Sequence, residues 1–227
     1  MLAVGGGPVA RTTPDRPGAQ EWVPEQAGTD ALGEAAHRCR GCELWGPATQ
    51  VVFSSGPDDA DVVLVGEQPG DREDREGEPF VGPAGRVLAD ALEAAGIGRE
   101  RVYVTNAVKH FRFTERGKRR LHKTPDVAHV RACLPWLEAE VAAVRPRVVV
   151  AMGATAARAV LGRSVRIGEV RGRVLDPPGD AGAAHEAGAV VVTTHPSALL
   201  RLRDRSGWDE AFDSLVSDLR TAAQAVV

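Results

Sequence analysis

The chain has 227 residues, 43% of them hydrophobic, with 28 Lys and Arg against 31 Asp and Glu and only 3 Cys. This length predicts one domain that folds without help from a disulfide or a metal, and no apolar run is long enough to span a membrane. The opening residues lack the features of a signal peptide, and the odd, sparse cysteines exclude a disulfide framework, so we expect a cytoplasmic protein.

The pattern along the chain alternates between strands and helices. Residues 1–30, rich in Gly, Pro, Ala and Thr, predict a flexible leader, and residues 31–227 predict a single domain. Strands are predicted at Asp61–Val65, Arg101–Val108, Arg147–Met152 and Ala189–Thr194, with an extra one at Val170–Leu175. Helices are predicted at Pro83–Ala95, from an N-cap at Thr124 and Pro125 to about Val144, at Ala154–Leu161 and at Trp208–Ala225. Strands separated by helices predict an α/β fold, a three-layer αβα sandwich around a mostly parallel four-stranded sheet.

Each predicted core strand ends at or next to a residue that could take part in binding or catalysis. Glu67 and Gln68 follow the first strand, Asn106 lies at the end of the second, Gly153 follows the third and His195 follows the fourth. Ligands of parallel sheets bind beyond the carboxyl ends of the strands. We therefore expect these residues to line one crevice.

The side chains at these positions could bind a base or another ring, although each signal by itself is weak. Glu67 can orient water, accept a proton or stabilise a cation, although a solvated loop carboxylate is an equal alternative. Phe80, beside a helix start, can stack on a base or belong to the core, and the Asn106 amide matches a pyrimidine edge. His195, followed by a helix start at Pro196 and Ser197, suits a developing anion.

A basic segment between Lys109 and Lys123 carries a charge of +6, which leaves −9 on the rest of the chain. Such a concentration of cations on an acidic body predicts a polyanion ligand. His122 lies at its end, where Arg119, Arg120 and Lys123 should lower its pKa and keep the ring neutral and nucleophilic. The alternative is a histidine that only contacts phosphate.

The three cysteines predict a metal centre. Cys39 and Cys42 form a C-x-x-C pair without the βαβ surroundings of a redox motif, and Cys133 supplies a third thiol. The fourth position is open to His110 or His129, and from these residues alone zinc is favoured over an iron–sulfur cluster.

Four motifs in order carry a resemblance to a known family: GEQPG at 66–70, PFVGPAG at 79–85, VYVTNAVK at 102–109 and HPS at 195–197. Together they resemble the uracil-DNA glycosylase superfamily, and from about Cys39 to Leu219 their spacing is similar to the iron–sulfur family 4 branch. The insertion KRRLH at 118–122 resembles the UdgX type, which also has Lys-His-Phe where family 4 enzymes have Lys-Cys-Arg. In place of zinc, the resemblance implies a [4Fe–4S] cluster held by Cys39, Cys42, His110 and Cys133, with His129 as the fallback for His110.

The resemblance implies a monomer that acts on uracil in DNA, preferably single-stranded, without a membrane partner. It would cleave the N-glycosidic bond and form an adduct between His122 and C1′ of the sugar. His195 would hydrogen-bond uracil O2, and Glu67 would stabilise the sugar cation and position His122. Further contacts to uracil or DNA are expected from Gln68, Asp71, Phe80, Asn106, Lys109, Lys118, Arg119, Arg120 and Ser197. The alternatives are a conventional glycosylase with turnover and a non-catalytic nucleic-acid-binding module with zinc.

Overall fold

A computed structural model describes residues 16–226. The helices are α1 (Thr29–Ala36), α2 (Asp71–Glu76), α3 (Pro83–Ala95), α4 (Val127–Val144), α5 (Ala154–Leu161), α6 (Ile167–Val170) and α7 (Arg205–Gln224). The strands are β1 (Ser54–Ser55), β2 (Val62–Gly66), β3 (Val102–Asn106), β4 (Phe113–Arg116), β5 (Arg119–His122), β6 (Val148–Met152), β7 (Val174–Leu175) and β8 (Ala189–Thr193). Short 3-10 turns lie at Glu43–Trp45, Arg99–Arg101, Gly179–Ala181 and Pro196–Arg201.

The main sheet has six strands in the order β1-β3-β2-β6-β8-β7. Its four central strands are parallel, and each is a buried run dominated by β-branched residues, as expected for a sheet covered on both faces. The short edge strands β1 and β7 pair antiparallel to it. The predicted α/β class with a mostly parallel sheet is confirmed. Besides the four core strands and the extra strand that were expected, the sheet contains the edge strand β1.

Helices cover both faces of this sheet and complete three layers. On one face, Leu32 of α1, Trp136 of α4 and Ala156 of α5 pack in one buried cluster with Val63 and Val149. On the other face, α3 and α7 pack against the remaining side chains of the same strands. Within residues 16–226, no helix is both long enough and apolar enough to cross a lipid bilayer.

The predicted bounds of α3 and α5 are confirmed, whereas α7 begins three residues earlier than predicted, at Arg205, and α4 begins later than predicted. Its N-cap is Asp126, whose carboxylate accepts hydrogen bonds from the backbone N–H groups of Ala128 and His129 at 3.0 and 3.1 Å. The predicted start at Thr124 and Pro125 was therefore wrong by two residues. Asp is as good an N-cap as Thr, and here it also receives ion pairs from outside the helix.

Two segments differ from the prediction. The strand expected at Val170–Leu175 is only β7, because residues 167–170 form the turn α6. The sequence after β3 contains an unpredicted hairpin, in which β4 pairs antiparallel with β5 and Phe113 lies opposite His122. Its strands are mostly exposed, so they lack the apolar alternation by which a strand is recognised.

The predicted leader, residues 1–30, falls partly outside the described residues, which begin at 16. From there on the structure corrects it. The Ala19 N–H donates to the carbonyl of Ala132 at 2.8 Å, Ala19 is buried, and Arg16 pairs with Glu43 and Asp126. These contacts fix the segment to the body of the domain, which a composition rich in Gly and Pro does not reveal.

Candidate active site and cysteine cavity

A cavity of about 720 Å³ opens at the carboxyl ends of the central strands. Asn106 of β3 and Met152 of β6 line its wall together with residues that follow β2 and β8, because parallel strands end at the same edge of the sheet. The structure brings together here eight of the residues predicted for the site: Glu67, Gln68, Asp71, Phe80, Asn106, His122, His195 and Ser197.

Glu67 follows β2, and each of its two carboxylate oxygens faces a side chain from another element. Its Oε2 accepts a hydrogen bond from Thr155 Oγ1 at 2.5 Å, and its Oε1 lies 3.4 Å from His122 Nε2. The side chain is 23% exposed, so it is neither in the core nor a freely solvated loop carboxylate. It is therefore a held anion at the wall of the cavity.

His122 ends strand β5 and reaches the cavity from the hairpin. Burial lowers its pKa, the nearby cation Arg201 lowers it further, and Glu67 opposes both. The direction agrees with the sequence prediction, but the cause differs. Arg120 is turned away into ion pairs, and the cation that acts is Arg201, 79 residues further along the chain and on another element. At neutral pH the ring is uncharged.

His195 is held as a neutral hydrogen-bond donor. Its Nδ1 accepts from the backbone N–H of Ser197 at 3.2 Å, which leaves the proton of the neutral ring on Nε2. Burial lowers its pKa to about 4, and His122 and Arg201 contribute in the same direction. The ring lies nearly parallel to Phe80, with centroids 6.1 Å apart.

Glycines allow Phe80 and Asn106 to meet at the base of the cavity. A Cβ on Gly66 would collide with both side chains, and one on Gly85 would collide with the carbonyl of Phe80. Phe80 itself adopts a left-handed backbone conformation with φ of 58°, which is strained for a residue with a side chain. Asn106 is buried at the end of β3, and its amide has no hydrogen-bond partner within residues 16–226.

The two cations Lys109 and Arg120, predicted to contact DNA, form ion pairs with carboxylates of the protein instead. Lys109 is 1% exposed and its Nζ pairs with the buried Glu140, so it cannot reach a ligand. Arg120 forms ion pairs of 2.6 Å with Asp71 and with the buried Asp74.

Gln68 lines the cavity, but its side chain holds the base of the hairpin. Its Nε2 donates to the carbonyls of Arg112 and Lys123 at 3.1 and 3.2 Å, and its Oε1 accepts from the N–H of Arg112 at 3.0 Å. Of the predicted phosphate contacts, Lys118 and Arg119 remain exposed at the hairpin tip.

A second, small cavity lies between the cysteines and His110. It is about 10 Å³ in volume and is lined by Cys39, Cys42, Cys133 and His110, all buried. Burial raises the pKa of the Cys42 thiol to about 11 and that of Cys133 to about 12, and it lowers the pKa of His110 to about 4.

Three thiols and one imidazole form a donor set that suits either a zinc ion or an iron–sulfur cluster. Within residues 16–226, no three acidic, cysteine or histidine side chains stand together as ligands of one metal ion. A four-iron cluster offers a separate corner to each ligand, and thiolates are its usual ligands. The backbone N–H groups of Gly41 and Lys109 already face the sulfurs of Cys39 and Cys133.

His110 rather than His129 lines this cavity. The ring of His129 is fully buried elsewhere, with Nε2 3.0 Å from Glu43 and Nδ1 accepting from the backbone N–H of Asp126 at 3.2 Å. Both of its nitrogens are therefore engaged. As the side chains stand, the cavity has room for about one water, so a cluster would require its four ligands to turn outward.

Sequence reasoning missed Thr155, Arg201 and Glu73. Thr155 and Arg201 act on Glu67 and His122 from elements remote in sequence. Glu73 accepts from the N–H groups of Gly70 and Gly82 and so joins the starts of α2 and α3. Thr155 had one available signal, since it begins a helix directly after a core strand.

Comparison with known proteins identifies the family to which the chain belongs. The chain matches the Uracil DNA glycosylase superfamily over residues 53–220. It is 38% identical over 175 residues to a Type-4 uracil-DNA glycosylase of Thermotoga maritima, which covers 77% of this chain and 84% of the relative. Proteins of the same name from Pyrobaculum aerophilum and Archaeoglobus fulgidus are 34% and 37% identical, over 75% and 61% of this chain and 83% and 68% of theirs. This chain belongs to the uracil DNA glycosylase superfamily.

Proposed function

We propose that this protein removes uracil from DNA. The observation that carries the proposal is the placement of an anion, Glu67, and a neutral donor, His195, in one cavity that also holds Phe80 and Asn106. The Phe80 ring would stack on the base, and the free Asn106 amide would bind its Watson–Crick edge. The names of the relatives support the same substrate.

Cleavage of the bond between N1 of uracil and C1′ leaves the electron pair on uracil and a positive charge on the sugar. The Nε2–H of His195 would donate to O2, where the negative charge develops. Because its pKa is about 4, this donor stays neutral at physiological pH. A preorganised donor of this kind is worth about a hundredfold in rate or more. The Glu67 carboxylate would stabilise the positive sugar.

The fate of the sugar depends on His122. Its Nε2 lies 3.4 Å from Glu67 Oε1, so the imidazole and the carboxylate face the same region. The neutral imidazole would form a bond from Nε2 to C1′, and the resulting imidazolium would lose its Nδ1 proton to water. A fixed nucleophile has a large advantage over water, with effective molarities of about 10⁵ M or more. The product is a stable covalent protein–DNA adduct, and turnover stops.

Conventional turnover is the alternative, and the names of the relatives favour it equally. In that case water attacks C1′ and His122 only contacts the sugar or phosphate.

Incubation with an oligonucleotide that contains one uracil, followed by a denaturing gel, separates the two. We expect a heat-stable shifted band with the native chain, and free abasic strand without the band for His122→Ser. His185→Ser, which changes a histidine outside the cavity, is the matched control and should behave as the native chain. Several uracils released per protein without a band would establish conventional turnover, and no release at all would refute the proposal.

We further propose that Cys39, Cys42, His110 and Cys133 hold a [4Fe–4S] cluster. When bound, the cluster would supply a structural cross-link between the segment before β1, the end of β3 and α4. Iron content and broad visible absorption measure it. Both should be lost in Cys133→Ser and retained in His129→Gln. Loss of both in His129→Gln would instead assign His129 as the fourth ligand.

Single-stranded DNA is the preferred substrate in this proposal, because its bases need no extrusion from a duplex. The exposed Lys118 and Arg119 would contact its phosphates. The three buried free thiols support a reducing, cytoplasmic compartment, and we propose that the protein acts there as a monomer.

A further inference from the structure

The carboxylate of Glu67 depends on one side chain outside the cavity wall. Thr155 lies at the second position of α5, is half-buried, and its Oγ1 is 2.5 Å from Glu67 Oε2. A carboxylate can only accept, so the hydroxyl must donate. Within residues 16–226, the Thr155 hydroxyl makes no other hydrogen bond, so it is not used to cap its own helix.

This contact divides the two oxygens of Glu67 between two tasks. Oε2 is held by Thr155 at the start of α5, where the helix dipole favours an anion. Oε1 is left free to face His122. The glycine before the helix, Gly153, has a φ of 88° and lacks the Cβ that would crowd His195, so the start of α5 lies close to both.

We propose that Thr155 is a positioning residue, which fixes the rotamer of Glu67 so that its carboxylate faces the sugar cation. The inference rests on the proposed uracil excision and deepens it. Thr155 does not touch the base or the phosphates in this proposal. Its loss should therefore slow bond cleavage while DNA affinity stays the same.

The variant Thr155→Val keeps the shape and removes the donor, whereas Thr155→Ser keeps the donor. Thr221→Val is the matched control, because the Thr221 hydroxyl donates only to a backbone carbonyl of α7. Single-turnover uracil release should fall about 10- to 100-fold in Thr155→Val, the range expected for a hydrogen bond to a charged group. It should stay within about threefold of the native rate in the other two variants.

Two readouts separate positioning from a merely structural role. The affinity for a uracil-containing oligonucleotide, measured by fluorescence anisotropy, should be the same in Thr155→Val as in the native chain although its rate is lower, because Thr155 does not touch the DNA in this proposal. NMR relaxation of ¹³C-labelled glutamate side chains, with the Glu67 signal identified through Glu67→Gln, should show a more mobile Glu67 in Thr155→Val only.

A Thr155→Val protein in which Glu67 stays as ordered as in the native chain would overturn the inference, whatever its rate. The NMR measurement needs no substrate. If the native chain released no uracil, the proposed function would fail, yet the mobility of Glu67 would still decide whether Thr155 positions it.

Discussion

His195 shows how a single residue is tuned by its surroundings. The N–H of Ser197 fixes its tautomer, and burial keeps the ring uncharged far below neutral pH. A charged imidazolium would bind a developing anion more strongly, but it would have to be desolvated before the reaction. A neutral donor avoids this cost and is already oriented by the chain.

The lowered pKa of His195 predicts a pH-dependent stability. The folded ring titrates at about 4 and the unfolded one at about 6.5, so the unfolded state binds more protons between these values. The contribution of His195 to the free energy of unfolding is therefore fully present above pH 6.5, and it is lost as the pH falls towards 4. The variant His195→Gln should therefore lose less stability than the native chain between pH 7 and pH 4.5, by about 2 kcal/mol. Urea unfolding at both pH values measures this, and parallel losses in the two proteins would contradict it.

At the scale of elements, the hairpin β4–β5 carries His122 but owes its position to other parts of the chain. Gln68 holds its base, and Arg120 ties it to Asp71 and Asp74 at the start of α2. The Arg120 guanidinium also lies over the rings of Phe111 and Phe113. The hairpin is thus fastened at both its base and its side.

Loss of the Arg120 ion pairs should lower the yield of the covalent adduct more than the yield of released uracil. In Arg120→Ala the buried Asp74 loses its cation and the hairpin moves away from Glu67, so the covalent adduct should fall at least tenfold while uracil release falls less. Arg116→Ala, in the other strand of the hairpin, is the control, because Arg116 is exposed and makes none of these contacts. Quantified gel bands and released uracil measure both yields. Equal losses of adduct and release in Arg120→Ala would show that the hairpin is not the deciding element.

The carboxylate of Glu73 links the start of α2 to the start of α3, and we expect this link to stabilise the fold. Its carboxylate accepts from the N–H groups of Gly70 and Gly82 at 3.1 and 2.9 Å and is nearly buried. Glu73→Ala leaves two donors without a partner and should lower the free energy of unfolding by about 1–3 kcal/mol. Glu76→Ala, on the same helix and exposed, should change it by less than about 0.5 kcal/mol. Chemical denaturation measures both values, and similar effects for the two would contradict the expected stabilisation.

At the scale of the whole molecule, a net charge of −3 conceals a basic hairpin tip on an acidic body. Binding of single-stranded DNA should weaken as salt rises, with a slope of log affinity against log salt of about −0.7 for each phosphate contact. The double change Lys118→Ala and Arg119→Ala should reduce the magnitude of this slope by about 1.4. Arg166→Ala, outside the cavity wall, should leave it unchanged. Fluorescence anisotropy at several salt concentrations measures the slopes, and an unaltered slope in the double variant would place the phosphates elsewhere.

Prediction from the sequence succeeded where the signal is local. The bounds Pro83–Ala95 match α3 because Pro83 starts the helix and Gly96, with a φ of 75°, ends it. The hairpin was missed although Gly117, at a φ of 61°, marks its turn, because the flanking strands are polar and partly exposed. Lys109 was misread as a DNA contact because its partner Glu140 lies 31 residues away and is not visible as a local pattern.

The sequence by itself determined the α/β class, the strand ends at which the chemistry collects, and the motifs that identify the superfamily. These features depend on hydrophobic periodicity and on residues close together in the chain. Only the tertiary structure decided which cations are free, which histidine lines the cysteine cavity and which hydroxyl holds Glu67. Each of these is settled by the burial and pairing of side chains from distant elements, and those contacts exist only once the sheet and its helices have assembled.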